Sequence, residues 1–273
     1  MLQRIIPSSG ESIPVIGLGT WIKFDVISVA EKQTLVNNVK LFSENGGKLI
    51  DTSPMYGNAE KVIGEVTKQS GIADKFFYAT KVWTSGRDAG LQQMQSSMQK
   101  MQRITMDLIQ VHNLVDYKTH LKTLRQWKEE GKVRYIGITH YTTSYHGELE
   151  KIISNEEIDF VQFNYSIGVR NAERSLLPAA MNKGVAVIIN EPLEKGNLFK
   201  KVKGKELPGW AIENDMNTWA HFFLKYVISH PAVTCVIPAT SSPKNLLDNL
   251  SAGEGKLLDE KMKKKMVEFF ERL

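Results

Sequence analysis

The chain has 273 residues, 42% of them hydrophobic and 9% aromatic, which is enough for one large domain with a buried core and too apolar for a disordered or fibrous protein. Its 35 Lys and Arg against 30 Asp and Glu leave a formal charge of +5, spread along the sequence with no aromatic-basic array. That pattern argues against nucleic acid and leaves an anionic small molecule as the natural partner. The only cysteine, Cys235, lies in an apolar run, so an intramolecular disulfide and a cysteine-rich zinc cluster are excluded and a reducing compartment fits.

The first residues, Met1 to Ser8, lack the basic-then-apolar layout of an export signal, and no apolar run is long enough to span a bilayer. A cytoplasmic protein with no membrane partner is expected. Arg4-Ile5-Ile6 and Ile13-Pro14-Val15-Ile16 flank the turn residues Pro7 to Ser12 and predict a β-hairpin. Strand and helix patterns then alternate. The predicted strands are 15–20, 48–51, 76–82, 106–112, 133–139, 158–165, 185–190 and 234–238. Between them, Leu91, Met94, Met98 and Met101, then Leu121, Leu124 and Trp127, then Trp219, Phe222, Phe223, Tyr226 and Val227 each mark one apolar face of a helix. A last amphipathic helix starts from Asp259 as N-cap and carries Met262, Met266, Phe269, Phe270 and Leu273 on one side. Eight βα units with no polar linker predict a (β/α)8 TIM barrel spanning residues 1–273 as a single α/β domain, with an N-terminal β-hairpin and a C-terminal amphipathic helix. A monomer is expected.

The polar residues with chemical use fall at the ends of these strands. Asp51 and Tyr56 follow Lys48-Leu49-Ile50, Lys81 closes the third strand, and His112 closes the fourth. Thr139, Asn164, Asn190 and Ala239 occupy the corresponding ends further on, where barrel enzymes build their sites. A phenol beside an ammonium and a carboxylate has its acidity shifted by the cation, and an imidazole can orient or share the proton. Gathered together, such groups suit protonation of a carbonyl oxygen as hydride reaches its carbon. Taken one at a time, Tyr56 is equally a half-buried tyrosine bonded to backbone, and Asp51 with Lys81 a structural ion pair. The histidines at 120, 146, 221 and 230 fall in helical or loop contexts and are expected to be surface or packing residues. Neither a Gly-x-Gly-x-x-Gly turn after a strand nor a phosphate loop ending in Gly-Lys-Ser/Thr occurs, so a Rossmann or P-loop nucleotide site is not expected.

An ordered set of segments carries a resemblance. It comprises Gly17-Leu18-Gly19-Thr20-Trp21, Ile50-Asp51-Thr52-Ser53-Pro54-Met55-Tyr56-Gly57, Ala79-Thr80-Lys81-Val82-Trp83, and Asp107-Leu108-Ile109-Gln110-Val111-His112. Further on come Tyr135-Ile136-Gly137-Ile138-Thr139, Gln162-Phe163-Asn164-Tyr165 and Ile237-Pro238-Ala239-Thr240-Ser241. In this order and over nearly the whole chain, the sequence resembles the aldo-keto reductase family. The resemblance implies an oxidoreductase that interconverts aldehydes or ketones and alcohols with NADP(H), or with NAD(H) as a possible second coenzyme, and without a metal. Its rival is a coenzyme-binding regulatory or structural barrel with little turnover.

The resemblance also implies roles. Tyr56 is the general acid, Lys81 lowers its pKa, Asp51 holds Lys81 as an ammonium, and His112 orients the substrate oxygen. Thr20 and Trp21 bind the coenzyme, and Thr139, His140, Gln162 and Asn164 surround the nicotinamide. Asn190, Glu191, Pro192 and Leu193 line its other face and the phosphate path. Thr240, Ser241, Lys244 and Asn249 hold the adenosine end, where Ser242 and Pro243 start a helix whose free N–H groups suit an anion. His140 replaces the family's usual Asn, and Asn190 stands where many members stack a tyrosine on the nicotinamide. Ala239 and Asn245 occupy positions that often carry Lys and Arg for the 2′-phosphate. The lysine-rich stretch from Glu194 to Glu206 is expected to be a solvated loop folding over the pyrophosphate, with Lys195 its foremost candidate contact. Trp21, Met55 and Trp83 are candidate walls of an apolar substrate pocket, or plugs at strand ends.

Overall fold

The computed structural model describes residues 1–273. An antiparallel hairpin, β1 (Gln3–Ile5) and β2 (Ser12–Pro14), precedes eight parallel strands. These are β3 (Leu18–Gly19), β4 (Leu49–Asp51), β5 (Phe77–Val82), β6 (Met106–His112), β7 (Val133–His140), β8 (Phe160–Asn164), β9 (Ala186–Asn190) and β10 (Val233–Val236). They pair in chain order from β3 to β10, and the two ends meet through bridges between Ile16 and Val236 and between Gly19 and Ala239. The sheet is thereby a barrel, with helices between successive strands. Gly19 permits the last closure: a Cβ there would stand 2.6 Å from the Ile237 carbonyl oxygen.

The period of two along each strand divides the apolar residues between two cores. Ile50, Tyr78, Ile109, Ile138, Phe163 and Val187 point outward and pack in one layer with helix residues such as Phe42, Met94 and Leu124. Their neighbours Leu49, Phe77, Leu108, Tyr135, Phe160 and Ile188 point inward and fill the barrel, closed from below by Ile6 and Ile13 of the hairpin. Ring centroids of Phe77, Tyr135 and Phe160 lie 5.5 to 6.1 Å apart, an aromatic cluster whose pairs each contribute about 0.5–1.5 kcal/mol beyond area burial. Further along the same inward rows, the side chains turn polar at Asp51, Lys81, Gln110, His112 and Gln162. The barrel thus has an apolar floor beneath a polar mouth.

Several boundaries differ from the sequence expectation. The segment 15–20 forms a ladder only at Leu18–Gly19 and otherwise meets β10 by single backbone bonds such as Gly17 N to Val236 O at 2.8 Å. β8 begins at Phe160 rather than Ile158, and the last strand ends at Val236 rather than Pro238, because strand length follows the partner's register and not apolar content alone. The stretch from Glu194 is not one solvated loop. It forms a turn at Glu194–Gly196 and a helix at Asn197–Lys201, anchored by buried Leu198 and Val202. Of the two roles expected for the remaining histidines, His120, His146 and His221 take the packing one, each buried and bonded. His120 Nε2 meets the Thr84 carbonyl at 2.7 Å, and His221 Nε2 meets Ser251 Oγ at 2.8 Å. The last helix, Glu260–Glu271, has Asp259 as N-cap, accepting from Met262 N at 2.8 Å, with Met266 and Phe270 buried and Leu273 beyond its end. No helix is long and apolar enough to cross a membrane.

Candidate active site

β4, β5, β6, β7 and β8 deliver Asp51, Lys81, His112, Thr139 and Gln162 to one end of the barrel. Lys81 is fully buried, and its Nζ donates to Asp51 Oδ2 at 2.6 Å and to the Thr52 carbonyl at 2.8 Å. The other Asp51 oxygen accepts from Gln162 Nε2 at 2.9 Å and from Gln110 Nε2 at 3.3 Å. Thr139 Oγ1 donates to Gln162 Oε1 at 3.2 Å and fixes which way that amide faces. Gln110 and Gln162, with the Thr52 carbonyl, therefore satisfy one buried ion pair, as a charge withdrawn from water requires.

Tyr56 stands above this pair on the turn after β4. Lys81 Nζ lies 5.3 Å from the centre of its ring, and the His112 ring meets it edge-on with centroids 6.1 Å apart. Burial, against the pull of the Lys81 ammonium and with help from Asp51 and Glu191, pushes the Tyr56 phenol above its ordinary range. Lys81 does pull the phenol down, as expected, but desolvation outweighs that pull. Burial also works against the Lys81 ammonium, but Asp51 and Tyr56 outweigh it and hold its pKa above that of an ordinary lysine. Burial first, then the Lys81 and His140 charges, lower the His112 imidazole to about 3, so the ring is neutral at working pH. His112 Nδ1 is 3.1 Å from Ser53 Oγ.

The other expected site residues divide by what their polar atoms do. Thr20 is buried and its hydroxyl donates to the Asp51 carbonyl at 2.9 Å, tying β3 to β4. His140 stacks on Tyr145 with centroids 3.7 Å apart, and its Nδ1 accepts from Thr142 N at 3.1 Å. Asn164 is committed to His146 at 3.0 Å and to Thr143 at 2.8 Å. Asn190 ends β9 with a buried Oδ1 that has no partner in the protein, a polar atom that a ligand amide would satisfy. Pro192 and Leu193 follow in a loop where Glu191, Glu194 and Lys195 all have positive φ, near 50°. Such strain in non-glycine residues collects at functional sites. Lys195 pairs with Glu191 at 2.9 Å and lies 5.3 and 5.4 Å from the centres of the Trp21 and Tyr141 rings.

At the far side, Ser242 caps the helix Pro243–Ser251 through Asn245 N at 3.3 Å. Lys244 is exposed in a first turn that holds no acidic residue, a cation set against the positive end of a helix dipole. Thr240 is buried with its Oγ1 accepting from Ser242 N at 3.1 Å, Ser241 is exposed beside it, and Asn249 is buried in the helix. This end fits the phosphate of a nucleotide, whose charge would relieve the conflict at Lys244. Trp21, Met55 and Trp83 are 44%, 41% and 41% exposed, so they rim the mouth and do not plug it.

No role was expected for Ser53 or Gln110. Gln110 had a usable signal, since it precedes His112 by two on a strand and must share its inward face. Ser53 lies on a turn, where no period announces direction.

A closed βα barrel whose mouth holds a buried lysine–carboxylate pair under a tyrosine has the layout of a proton-transfer enzyme. The sequence model of the Aldo/keto reductase family matches residues 15–269, and the chain belongs to that family. It is similar to methylglyoxal reductase YeaE of Escherichia coli, 27% identical over 95% of each chain. It is also similar to the glyoxal reductase of Bacillus subtilis, 26% identical over 94% of this chain and 89% of that one. A solved aldo/keto reductase from Klebsiella pneumoniae, in complex with NADP and acetate, superposes with a TM-score of 0.84 over 99% of this chain and 96% of the other, at 22% identity. That last likeness is one of fold.

Proposed function

We propose that the protein reduces small aldehydes, 2-oxoaldehydes foremost, to alcohols with NADPH, and that Tyr56 donates the proton. Family membership carries the reaction class. The residue assignment rests on one observation: the Asp51–Lys81 pair, 2.6 Å apart and removed from water, lies directly beneath the Tyr56 ring.

A nicotinamide coenzyme, when bound, would supply the hydride for the carbonyl carbon. Thr139, His140, Gln162, Asn190, Pro192 and Leu193 would hold its nicotinamide end, and Thr240, Ser241, Lys244 and Asn249 its adenosine end. Tyr56 keeps its proton through neutral pH, because burial has raised its pKa, and gives it to the oxygen as negative charge develops there. Lys81, held charged by Asp51, stabilises the phenolate left behind. Neutral His112 can hydrogen-bond the same oxygen without competing for its proton. The product is an alcohol, and the phenol is restored from solvent.

The names of the two relatives, methylglyoxal and glyoxal reductase, point to small dicarbonyls as substrates. The aromatic rim of Trp21 and Trp83 with Met55 supplies apolar walls and no charged anchor for a larger acid. Lys244 favours the 2′-phosphate of NADPH, since both the cation and the helix end that it faces call for an anion. A binding barrel without turnover is disfavoured, because such a role has no use for a fully braced ion pair under an available phenol.

The test is to mix the purified protein with NADPH or NADH and a panel of methylglyoxal, glyoxal, benzaldehyde and simple ketones, following loss of reduced coenzyme. Turnover is expected, fastest with a 2-oxoaldehyde and NADPH. Coenzyme binding without oxidation by any carbonyl would sink the proposal.

A further inference from the structure

Ser53 is buried in the turn between β4 and Tyr56, and its Oγ has two neighbours that can bond it. Met55 N donates to it at 3.4 Å, and His112 Nδ1 lies 3.1 Å away. A serine hydroxyl has one hydrogen to give, and a buried hydroxyl that finds no acceptor carries a desolvation cost. The backbone N–H of Met55 can only donate, so the hydroxyl oxygen is its acceptor. The hydroxyl hydrogen is then left with one acceptor in reach, the lone pair of His112 Nδ1. If Nδ1 carried the imidazole hydrogen instead, two donors would converge on the Ser53 oxygen and its own hydrogen would be stranded.

We infer that Ser53 is a positioning residue that fixes His112 as the Nε2–H tautomer, so that the ring presents a donor and not a lone pair to the carbonyl oxygen being reduced. The inference rests on the proposed function above for its chemical consequence and deepens it. The two tautomers are opposite in effect on a carbonyl. Nε2–H binds the oxygen and aligns it with the Tyr56 phenol, whose ring stands edge-on to the imidazole with centroids 6.1 Å apart. A bare Nε2 repels the same oxygen. Because the imidazole is neutral, only the choice of tautomer decides which face it shows. Gln110 and Gln162 do not make that choice, since each gives an amide hydrogen to Asp51 and neither hydrogen-bonds His112.

The wild-type protein tests the tautomer directly. With 15N-labelled histidine, NMR of the full chain at neutral pH should show His112 with hydrogen on Nε2 and a bare Nδ1; hydrogen on Nδ1 overturns the inference. Ser53→Ala should mix the tautomers and lower kcat/KM for methylglyoxal about tenfold, the worth of one hydrogen bond, while the dissociation constant for NADPH is unchanged. Ser53→Thr keeps the hydroxyl and should restore the pure tautomer and most of the rate. A Ser53→Ala protein that keeps both the pure tautomer and the wild-type rate removes Ser53 from the role. Mixed tautomers with an unchanged rate remove the donor function of His112. Failure of the Tyr56 assignment reads out separately, as turnover retained by Tyr56→Phe, and leaves the NMR result standing.

Discussion

Lys81 and Asp51 face each other inside the barrel at 2.6 Å, both almost wholly removed from water, and the same ammonium sits 5.3 Å from the centre of the Tyr56 ring. One pair therefore serves two ends. It satisfies the polar layer above the apolar floor of Phe77, Tyr135 and Phe160, and it sets the charge beside the phenol. Removing either partner strands the other charge in a poorly solvated place.

Lys81→Met and Asp51→Asn should each destabilise the fold, by about 3–5 kcal/mol for an unmatched buried charge. Denaturant unfolding measures this. Since each single change breaks the same pair, the double variant should lose clearly less than the sum of the two. Additive losses would mean that the residues do not act as a pair.

Tyr56→Phe should lower carbonyl reduction by a factor of about a hundred to ten thousand, the usual worth of a placed proton donor, with coenzyme binding nearly intact. Single-turnover kinetics with saturating NADPH give the figure. In wild type, the raised phenol pKa predicts reduction that stays level through neutral pH and declines only above the ordinary tyrosine range of about 10. Alcohol oxidation, which needs the phenolate, should climb over the same alkaline range. A decline in reduction through neutral pH would contradict the assignment.

His112 should make the fold acid-sensitive. Its folded pKa of about 3 lies below the unfolded value of about 6.5, so the unfolded chain takes up a proton that the folded chain refuses. Stability is therefore complete above about pH 6.5 and is lost progressively as pH falls toward 3. His140 and His146 are lowered by burial as well and add to the same trend. His112→Asn should flatten part of this acid limb in a plot of Tm against pH. An unchanged slope would place His112 in water.

Lys244→Ala should weaken NADPH while sparing NADH. A charge-assisted hydrogen bond is worth about 1.5–3 kcal/mol, so one well-placed contact gives roughly a tenfold or greater preference. Because Ala239 and Asn245 bring no further cation, little preference should remain after the change. Fluorescence titration with both coenzymes checks it. Equal losses for the two, or tighter NADH binding by the wild type, would put Lys244 outside the phosphate site.

The order of βα units, the hairpin, the caps at Ser242 and Asp259 and the strand-end positions of Asp51, Lys81 and His112 were legible because they depend on local rules. Period two places Lys81 and His112 on inward rows, Ser-Pro opens a helix, and an aspartate before an amphipathic run caps it. Strand ends in the first, sixth and eighth barrel strands were misplaced, since a ladder stops where its neighbour stops. Residues 197–201 were missed as a helix because two buried side chains, Leu198 and Val202, outweigh a run of lysines.

The sequence by itself determined which residues stand at the mouth of the barrel and what each can do chemically, because residue type and strand parity are local properties. Tertiary structure alone decided how those groups are spent. Gln110 and Gln162 both turn to Asp51, Thr20 ties two strands, burial overrides Lys81 in setting the Tyr56 phenol, and Ser53 meets His112 across 59 positions of chain. Hydrogen bonds and desolvation depend on distances of a few ångströms between segments remote in sequence, and those distances exist only once the eight strands have closed on one another.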